Sequence, residues 1–272
     1  MSNEYLVTIA SIPSKVRAGR PLVHHMTNAV AANIVANATI AVGASPVMAS
    51  SYEESAGIAG RADALVLNVG TPSRDTAKAM VAAGKAANKK GIPVVLDPVG
   101  AGLTQFRNSI VLDILREVRV NAVRGNPAEV ASLAGIPSYV RGVDSVATGK
   151  GPRDIAIAAS AKLGAVVAVT GPVDYVSDGR RLAAVRNGHP MMAGFTGSGC
   201  AVSGLIGTFC AVEPDFFLAS VAALAYAGVA GQLAATLSRG PGSFQVQWLD
   251  SLSNLSPAEF SELMDIRLEA PD

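Results

Sequence analysis

The sequence predicts an α/β fold in which a central, mostly parallel sheet carries helices on both faces. Three observations support this prediction. Short runs rich in β-branched residues alternate with longer helical stretches along the chain. The short runs are continuously apolar, which is typical of parallel strands buried on both faces. The segments between them are long enough for crossover helices, so we expect repeated strand–helix–strand units.

The predicted elements follow from these patterns in chain order. A strand-like stretch contains His24 and His25, and Ser73 and Gly91 delimit one helix as its N-cap and C-terminal stop. The predicted strands are 63–70, 92–98, 120–123 and 165–171. The predicted helices are 28–42, 73–90, 108–118, 154–163 and 199–212. No linker or internal repeat interrupts this series, so we expect one domain over residues 1–272.

Polar residues end four of the predicted strands. Asn68 closes one strand, Asp97 the next, Arg124 follows a third, and Thr170 ends the fourth. The carboxyl ends of parallel strands lie on one edge of a sheet, where ligands of such folds collect. We therefore expect these four side chains to share one rim.

A glycine-flanked segment precedes the helix predicted at 199–212. Gly197, Ser198 and Gly199 stand just before a long uncharged run. Glycines allow a sharp turn and a close approach of the backbone, and the first N–H groups of a helix lack partners and favour an anion. The segment predicts a phosphate site, and the alternative is a glycine-rich turn that packs against its neighbours.

Each acidic candidate on the rim has two interpretations. Asp97 precedes Pro98 and either starts an Asx-type turn or binds a metal ion. Glu129 stands three residues after Asn126 and matches a capping box, with Pro127 at the first helical position. Two carboxylates at neighbouring strand ends also suit Mg²⁺, which prefers oxygen ligands and substrate phosphates. We expect Asp97→Ala to preserve the fold, because Asp97 is predicted on a strand-end loop away from the core.

Arg124 lies at the end of an apolar strand, where an unpaired guanidinium is costly. Its planar fork matches phosphate oxygens and carboxylates equally well. The partner is therefore either a bound phosphate or an acidic side chain.

Composition excludes several classes of function. Among 272 residues, 22 are Lys or Arg and 21 are Asp or Glu, so no basic surface for nucleic acid or anionic membranes is expected. Cys200 and Cys210 have no metal-ligand spacing and indicate no disulfide framework. The first residues lack the pattern of an export signal. We therefore expect a cytoplasmic protein.

The stretch 216–238 carries no charge and is long enough to span a bilayer. It is rich in Ala and Gly and contains Ser220, Gln232 and Thr236, which lowers its transfer energy into lipid. We predict a buried helix and no membrane association, and an Ala-rich helix also suits a subunit interface.

Six blocks of the sequence carry a resemblance to a known family. They are PLVHHMTN at 21–28, GASPVM at 43–48, ALVLNVGT at 64–71, LDPVGAG at 96–102, RGNPAE at 124–129 and TGSGC at 196–200. In this order they closely resemble the hydroxyethylthiazole kinase family, and the similarity continues through GPGSFQ at 240–245. The resemblance implies a ribokinase-like fold and phosphorylation of the hydroxyl of 4-methyl-5-(2-hydroxyethyl)thiazole with ATP and Mg²⁺, a salvage step towards thiamine.

The same resemblance implies site residues and an assembly. Met48 and Gly197 would line the thiazole site, with Asn28 close to the ring. Three residues would contact ATP, two would organise Mg²⁺, and the segment Gly197, Ser198, Gly199 and Cys200 would surround the transferred phosphoryl group. The ATP set is Arg124, Thr170 and Asn68, and the Mg²⁺ set is Asp97 and Glu129. The resemblance also implies a homotrimer with thiazole sites between subunits.

Cys200 marks this branch of the superfamily. Ribokinase relatives generally carry Asp after the Gly-x-Gly, whereas the thiazole kinases resemble this chain in carrying Cys. A helix N-terminus lowers the pKa of a thiol, so one interpretation is that Cys200 is partly thiolate and acts as a weak base. The alternative is a small buried residue beside the substrate.

Other functions remain open from the sequence. Cys200 is a candidate nucleophile of a hydrolase, with His24, His25 or His189 as its base, although Asn187-Gly188 places His189 in a predicted hairpin region and surface histidines are common. Within the fold, the alternatives are a pyridoxine or hydroxymethylpyrimidine kinase or an ATP-dependent nicotinamide-hydrate dehydratase, relatives that usually have Asp at position 200. A non-catalytic nucleotide-binding subunit would leave Asp97 and Glu129 without a role.

Overall fold

The computed structural model describes residues 2–136, 138–141, 144–147 and 151–269, with side-chain surroundings for 4–136 and 151–269. Two sheets contain all of its strands. The strands are β1 (Leu22–Met26), β2 (Ser45–Met48), β3 (Ala64–Asn68), β4 (Val94–Asp97), β5 (Ala122–Gly125), β6 (Ser138–Arg141), β7 (Asp144–Ala147), β8 (Val166–Val169), β9 (Asp174–Ser177), β10 (Leu182–Val185) and β11 (Ile266–Glu269).

The main sheet has nine strands in the order β11-β10-β9-β8-β5-β4-β3-β1-β2. The six strands from β8 to β2 in this order pair in parallel, and β9, β10 and β11 are antiparallel. A separate antiparallel pair joins β6 and β7. The mostly parallel sheet that the sequence predicts is confirmed.

Helices cover both faces of the main sheet. They are α1 (Ser2–Gly19), α2 (Ala32–Ala41), α3 (Tyr52–Ala59), α4 (Arg74–Lys90), α5 (Gln105–Glu117), α6 (Pro127–Ala134), α7 (Pro152–Leu163), α8 (Ser198–Cys210), α9 (Phe216–Leu237), α10 (Pro241–Asn254) and α11 (Pro257–Leu263), with a short 3₁₀ helix at Pro190–Gly194. One core cluster joins the sheet to α1, α2, α8, α9 and α10, and the other joins it to α4, α5, α6 and α7. Alternate residues of each central strand enter these two cores, since every residue of β3 and β4 is buried.

Helix α9 explains the long uncharged stretch. It is long and apolar enough to cross a membrane, but 83% of its most apolar window is buried inside the fold. Burial around the helix removes the need for a polar face. The prediction of a buried helix is confirmed, because most of its Ala-rich surface packs within the chain.

Several predicted boundaries are right and others are wrong. The capping box at Ser73 and the left-handed Gly91 delimit α4 as predicted. Helix α2 starts at Ala32 rather than residue 28, because the Asn28 side chain accepts the N–H of Ala31 in a turn before the helix. Helix α5 starts at Gln105, since Thr104 caps it.

Two further expectations about strands need correction. Strand β5 runs two residues past the predicted 120–123, so Arg124 belongs to the strand itself. The hairpin lies between β9 and β10, whereas Asn187 and Gly188 come after it and lead into the 3₁₀ helix. The turn residues of the real hairpin are Asp178, whose carboxylate accepts two backbone N–H groups, and the left-handed Gly179.

Candidate active site

Four neighbouring parallel strands, β3, β4, β5 and β8, end at one edge of the sheet. Asn68 and Asp97 are the last residues of β3 and β4, and their Cα atoms are paired in the sheet register. Arg124 lies in β5 opposite Ala168, and Thr170 follows β8 directly. The predicted rim of polar side chains is therefore confirmed.

Asp97 is almost fully buried, at 1% exposure. Its Oδ2 accepts hydrogen bonds from Asn68 Nδ2 and Ser203 Oγ, both at 2.7 Å, whereas its Oδ1 is buried without a partner. Burial raises the pKa of this carboxyl to about 7, against the opposing charge of Arg124. The expectation of an exposed loop position is wrong, and the structure shows no Asx turn, because both hydrogen bonds to Asp97 come from distant side chains.

Glu129 forms the predicted capping box of α6. Asn126 Oδ1 accepts the N–H of Glu129, and Glu129 Oε2 accepts the N–H of Asn126, both at 2.9 Å. The other oxygen, Oε1, accepts the N–H of Gly100 at 2.8 Å. Each carboxylate oxygen keeps a lone pair beyond these bonds. The carboxylate is thus fixed by backbone groups from two segments.

The start of α8 has no side-chain cap. Gly197 precedes the helix with φ of 85°, a left-handed conformation that favours glycine. A Cβ atom there would approach Ile34 Cγ2 to 2.7 Å. The first hydrogen bond back to the segment is from Ala201 N to Gly197 O. The N–H groups of the first turn therefore remain available to a ligand, as an anion site requires.

Arg124 lies against this helix start. A Cβ on Gly199 would stand 2.6 Å from Arg124 Nη1, so only glycine permits the guanidinium to approach the helix this closely. Arg124 Nε is buried without a hydrogen-bond partner. Between residues 4–136 and 151–269 the structure shows no ion pair to Arg124, so the acidic-partner alternative is not supported. Thr170, by contrast, donates to Gly125 O at 3.3 Å.

A chain of amides joins Cys200 to Asp97. Asn28 Nδ2 donates to Cys200 Sγ at 3.3 Å and to Asn68 Oδ1 at 2.9 Å. Asn68 then donates to Asp97, as described above. Both asparagines are buried, at 6% and 2% exposure. The structure thus brings Asn28 and Asn68 together with the rim but commits their amides to protein partners, and their predicted ligand contacts stay predictions.

The structure does not favour the thiolate interpretation of Cys200. Burial raises the pKa of this thiol to about 11, and the negative charge of Asp97 acts in the same direction. The hydrogen bond from Asn28 opposes this shift but does not overcome it. Cys200 is therefore a protonated thiol at neutral pH, and the alternative of a small buried residue agrees better with the structure.

The histidines have other partners. His24 binds Ala49 O through Nε2, and His25 Nε2 is hydrogen-bonded to Thr39 Oγ1; both side chains are buried in β1. Burial lowers both pKa values, that of His25 to about 3. His189 is exposed and accepts the N–H of Met191. Among the described hydrogen bonds none links a histidine to Cys200, so the hydrolase arrangement is absent from this part of the chain.

The remaining predicted residue, Met48, ends the edge strand β2 and is 38% exposed. Two further polar residues, Ser203 and Thr27, were not predicted from the sequence. Ser203 fixes Asp97, and its only sequence signal is its place one turn after Gly199 on the same helix. Thr27 follows β1 inside one of the resembling blocks, and its Oγ1 is buried without a partner.

The donor set fits a magnesium ion. The described residues contain no group of three or more His, Cys, Asp or Glu side chains arranged to hold a metal. A Mg²⁺ ion that is also bound by nucleotide phosphates needs only one or two carboxylates from the protein. Asp97 offers an oxygen without a partner, and Glu129 lies near enough to influence its pKa. The site therefore suits a metal carried largely by phosphate oxygens.

Comparisons with known proteins agree with this geometry. The model of the "Hydroxyethylthiazole kinase family" matches residues 14–258. The hydroxyethylthiazole kinase of Desulfosudis oleivorans is 51% identical over 271 residues, covering 99% of both chains. The structure of a hydroxyethylthiazole kinase from Pyrococcus horikoshii superposes with a TM-score of 0.88 at 39% identity, covering 96% of this chain and 99% of that one.

A more distant neighbour shows the fold alone. An ADP complex of Bacillus subtilis pyridoxal kinase has a TM-score of 0.58 at 16% identity, over 76% of this chain and 90% of that chain. The family match covers most of the chain, and the relatives match it over nearly their full length. With its ribokinase-like sheet and its uncapped glycine loop before α8, the chain belongs to the hydroxyethylthiazole kinase family.

Proposed function

We propose that this kinase transfers the γ-phosphoryl group of ATP to the hydroxyl of 4-methyl-5-(2-hydroxyethyl)thiazole at the N-terminus of α8. One observation carries the proposal. Three groups that lack hydrogen-bond partners lie at one rim: the first turn of α8, Arg124 Nε and Asp97 Oδ1. Buried polar atoms rarely lack partners, so their concentration here indicates a site that a phosphate and a metal complete.

The helix start and Arg124 act on the phosphoryl group. The free N–H groups of Gly197 to Cys200 and the guanidinium against Gly199 present positive charge before the reaction begins. Phosphoryl transfer depends chiefly on positioning and charge neutralisation, so this arrangement supplies most of what the reaction needs. We assign Arg124 and Thr170 to ATP. For Asn68 the contacts support a positioning role on Asp97 rather than the predicted ATP contact.

Asp97 and Glu129 would hold Mg²⁺. Asn68 and Ser203 both bond Oδ2 of Asp97, which leaves Oδ1 free for the metal. When bound, Mg²⁺ neutralises charge on the transferring phosphates. The two carboxylates of this chain fix where that charge is neutralised.

Cys200 acts as a small polar residue and not as a base. Its thiol stays protonated near neutral pH and accepts the hydrogen bond of Asn28. A loose transition state makes little demand on a strong base for the hydroxyl proton. We therefore assign Cys200 a place beside the substrate hydroxyl, next to Gly197.

The thiazole would occupy the side of the rim near Met48, Gly197 and Asn28. Met48 ends the edge strand β2 and is 38% exposed, and Val30 and Tyr52 are exposed apolar side chains at 64% and 59%. An open apolar edge supports a homotrimer in which a second subunit closes each thiazole site. Light scattering tests this: a monomer with full activity at micromolar concentration would refute shared sites.

The free cysteines Cys200 and Cys210 suit a reducing compartment, which supports a cytoplasmic enzyme.

The reaction itself is tested by an acceptor screen with purified enzyme. The thiazole, pyridoxine and hydroxymethylpyrimidine are each supplied with ATP, with Mg²⁺ or with a chelator. We expect phosphorylation of the thiazole to be preferred and to require both ATP and the metal. Metal-independent turnover would contradict the proposal.

A further inference from the structure

Arg107, on the first turn of α5, binds the loops that follow β3 and β4. Its Nη1 donates to Val69 O and to Val99 O, and its Nη2 donates to Gly70 O, each at 2.8 Å. The structure shows no acidic partner for Arg107 within 4–136 and 151–269. All the hydrogen bonds described for its guanidinium therefore go to backbone carbonyls at the active-site rim.

The two carbonyls on Nη1 belong to two peptide planes whose other ends face the site. The carbonyl of Val99 shares its plane with the N–H of Gly100, which donates to Glu129 Oε1 at 2.8 Å. The carbonyl of Val69 shares its plane with the N–H of Gly70, which donates to Asn68 Oδ1 at 3.0 Å. A peptide unit is rigid and planar, so fixing one end orients the other.

Hydrogen bonds connect these two peptide planes to both predicted metal carboxylates. One ends directly on Glu129. The other ends on Asn68, whose Nδ2 donates to Asp97 Oδ2 at 2.7 Å. The convergent carbonyl dipoles repel one another, and a planar cation with several donors offsets that repulsion better than a single ammonium group.

We propose that Arg107 is a positioning residue for the metal site, which sets Glu129 and Asp97 through the Val99-Gly100 and Val69-Gly70 peptide planes. This inference depends on the proposed roles of Asp97 and Glu129 in holding Mg²⁺. Arg107 itself does not touch the metal or the substrate in this proposal. It acts as the outer support that holds ligands of a metal at the correct angle.

The loop favours glycine at position 100 because its backbone is left-handed there and Arg107 packs closely against it. Gly100 has φ of 74°, and a Cβ there would stand 3.2 Å from both Cδ and Nη1 of Arg107. The loop is thus shaped to receive the guanidinium. Because Arg107 is half-buried at the surface end of α5, water can replace it in a variant, and we expect the fold to survive its loss.

The test compares Arg107→Met, Arg107→Lys and the control Arg116→Met. Arg116 is on the same helix, has a 72% exposed side chain, and pairs only with Asp113 at 3.5 Å in the described structure. The first measurement is Mn²⁺ binding by electron paramagnetic resonance in the presence of a non-hydrolysable ATP analogue. We expect Arg107→Met to weaken Mn²⁺ binding by about 10- to 100-fold, as loss of outer-shell support does, and Arg116→Met to leave it unchanged.

Arg107→Lys separates charge from geometry. It keeps the positive charge but loses the planar fork, so we expect Mn²⁺ binding close to that of Arg107→Met. Full affinity in Arg107→Lys, or wild-type affinity in Arg107→Met, would overturn the proposal. The KM for the thiazole should change less than the apparent constant for the metal.

Hydrogen exchange of the metal-free proteins supplies a second measurement. Peptides covering 68–71 and 97–103 should exchange faster in Arg107→Met than in wild type or Arg116→Met, because both peptide planes lose an anchor. Unchanged hydrogen exchange in Arg107→Met would overturn the proposal that Arg107 holds these two peptide planes. This measurement needs neither metal nor substrate, so it decides on Arg107 even if Asp97→Asn leaves Mn²⁺ binding intact and thereby refutes the metal site.

Discussion

Two helices begin at the same rim and differ in how their first turn is satisfied. Helix α6 starts with a full capping box, in which Asn126 and Glu129 satisfy each other's backbone N–H groups. Helix α8 starts at Gly197 with no side-chain cap at all. Uncapped N–H groups inside a protein are costly unless something binds them. The first turn of α6 is therefore satisfied by its own side chains, whereas the uncapped first turn of α8 is the anion site that we propose.

Asp97 lies between the two helices. Ser203 of α8 donates to its Oδ2, and Glu129 of α6 acts on its pKa through charge. The carboxylate of Asp97 therefore connects the capped start of α6 to the uncapped start of α8. If the two helix starts differ in function, substitutions at Asp97 and at the start of α8 should cost more activity than a substitution at the cap of α6.

Asp97→Asn should lower kcat/KM by about 10³-fold, because the reaction depends on placing positive charge around the phosphates. Asparagine is close in shape and can still accept from Asn68 and Ser203, and it removes a buried charge. We therefore expect a folded protein, checked by circular dichroism. Steady-state kinetics at saturating ATP measure the loss, and near-wild-type activity would show that the site does not use this carboxylate.

Gly197→Ala should damage both stability and activity. Alanine at φ of 85° costs about 1–2 kcal/mol, and its Cβ would press on Ile34. The displaced helix start should lower kcat by about 10²-fold, the loss typical of a removed oxyanion donor.

The matched variant at the other helix is Asn126→Ala. It removes a cap and should cost about 1 kcal/mol of the free energy of unfolding. The backbone N–H of residue 126 still binds Glu129, so activity should fall less than in Gly197→Ala. Urea unfolding and kinetics on both proteins make the comparison. Equal losses of activity would show that the two helix starts do not differ in function.

The raised pKa of Asp97 gives a testable pH dependence of stability. The folded pKa of about 7 lies above the ordinary value of 3.8 for an aspartate, so between these values the folded state binds more protons than the unfolded state. The free energy of unfolding of the metal-free protein should therefore fall as the pH rises from about 4 to about 7, by up to about 1.4 kcal/mol per pH unit from this group.

Asp97→Asn is the control for this titration. It removes the contribution of Asp97 and leaves that of Asp174, whose pKa burial raises to about 6. The difference between the two curves of unfolding free energy against pH gives the contribution of Asp97 alone. Parallel curves would show that Asp97 is ionised in the folded protein throughout this range.

Substitution of Cys200 should have the smallest effect on activity. Cys200→Ser should stay within about tenfold of wild type, since the transition state makes little demand on a base here. Cys200→Asp should be at least as active, because a carboxylate accepts a proton from an alcohol and the helix N-terminus tolerates its charge. A folded but inactive Cys200→Asp, with a trapped adduct on wild-type Cys200, would contradict the kinase mechanism.

Much of the fold was predictable because burial on two faces leaves a simple pattern. The continuous apolar runs of β3, β4 and β8 and the capped helix α4 were readable directly. Local side-chain chemistry also predicted the capping box of α6. Boundaries were less accurate where a side chain bonds backbone outside the element, as Asn28 does before α2.

The sequence by itself determined that Asn68, Asp97, Arg124 and Thr170 lie at or next to the carboxyl ends of neighbouring strands, and with them the rim. It determined this because strand ends and helix starts depend on neighbours in the chain. The tertiary structure alone decided the burial of Asp97, the protonated thiol of Cys200 and the reach of Arg107 across two loops. Ionisation and hydrogen bonding depend on the desolvation and the partners that packing brings from distant segments, and no local pattern encodes those distances.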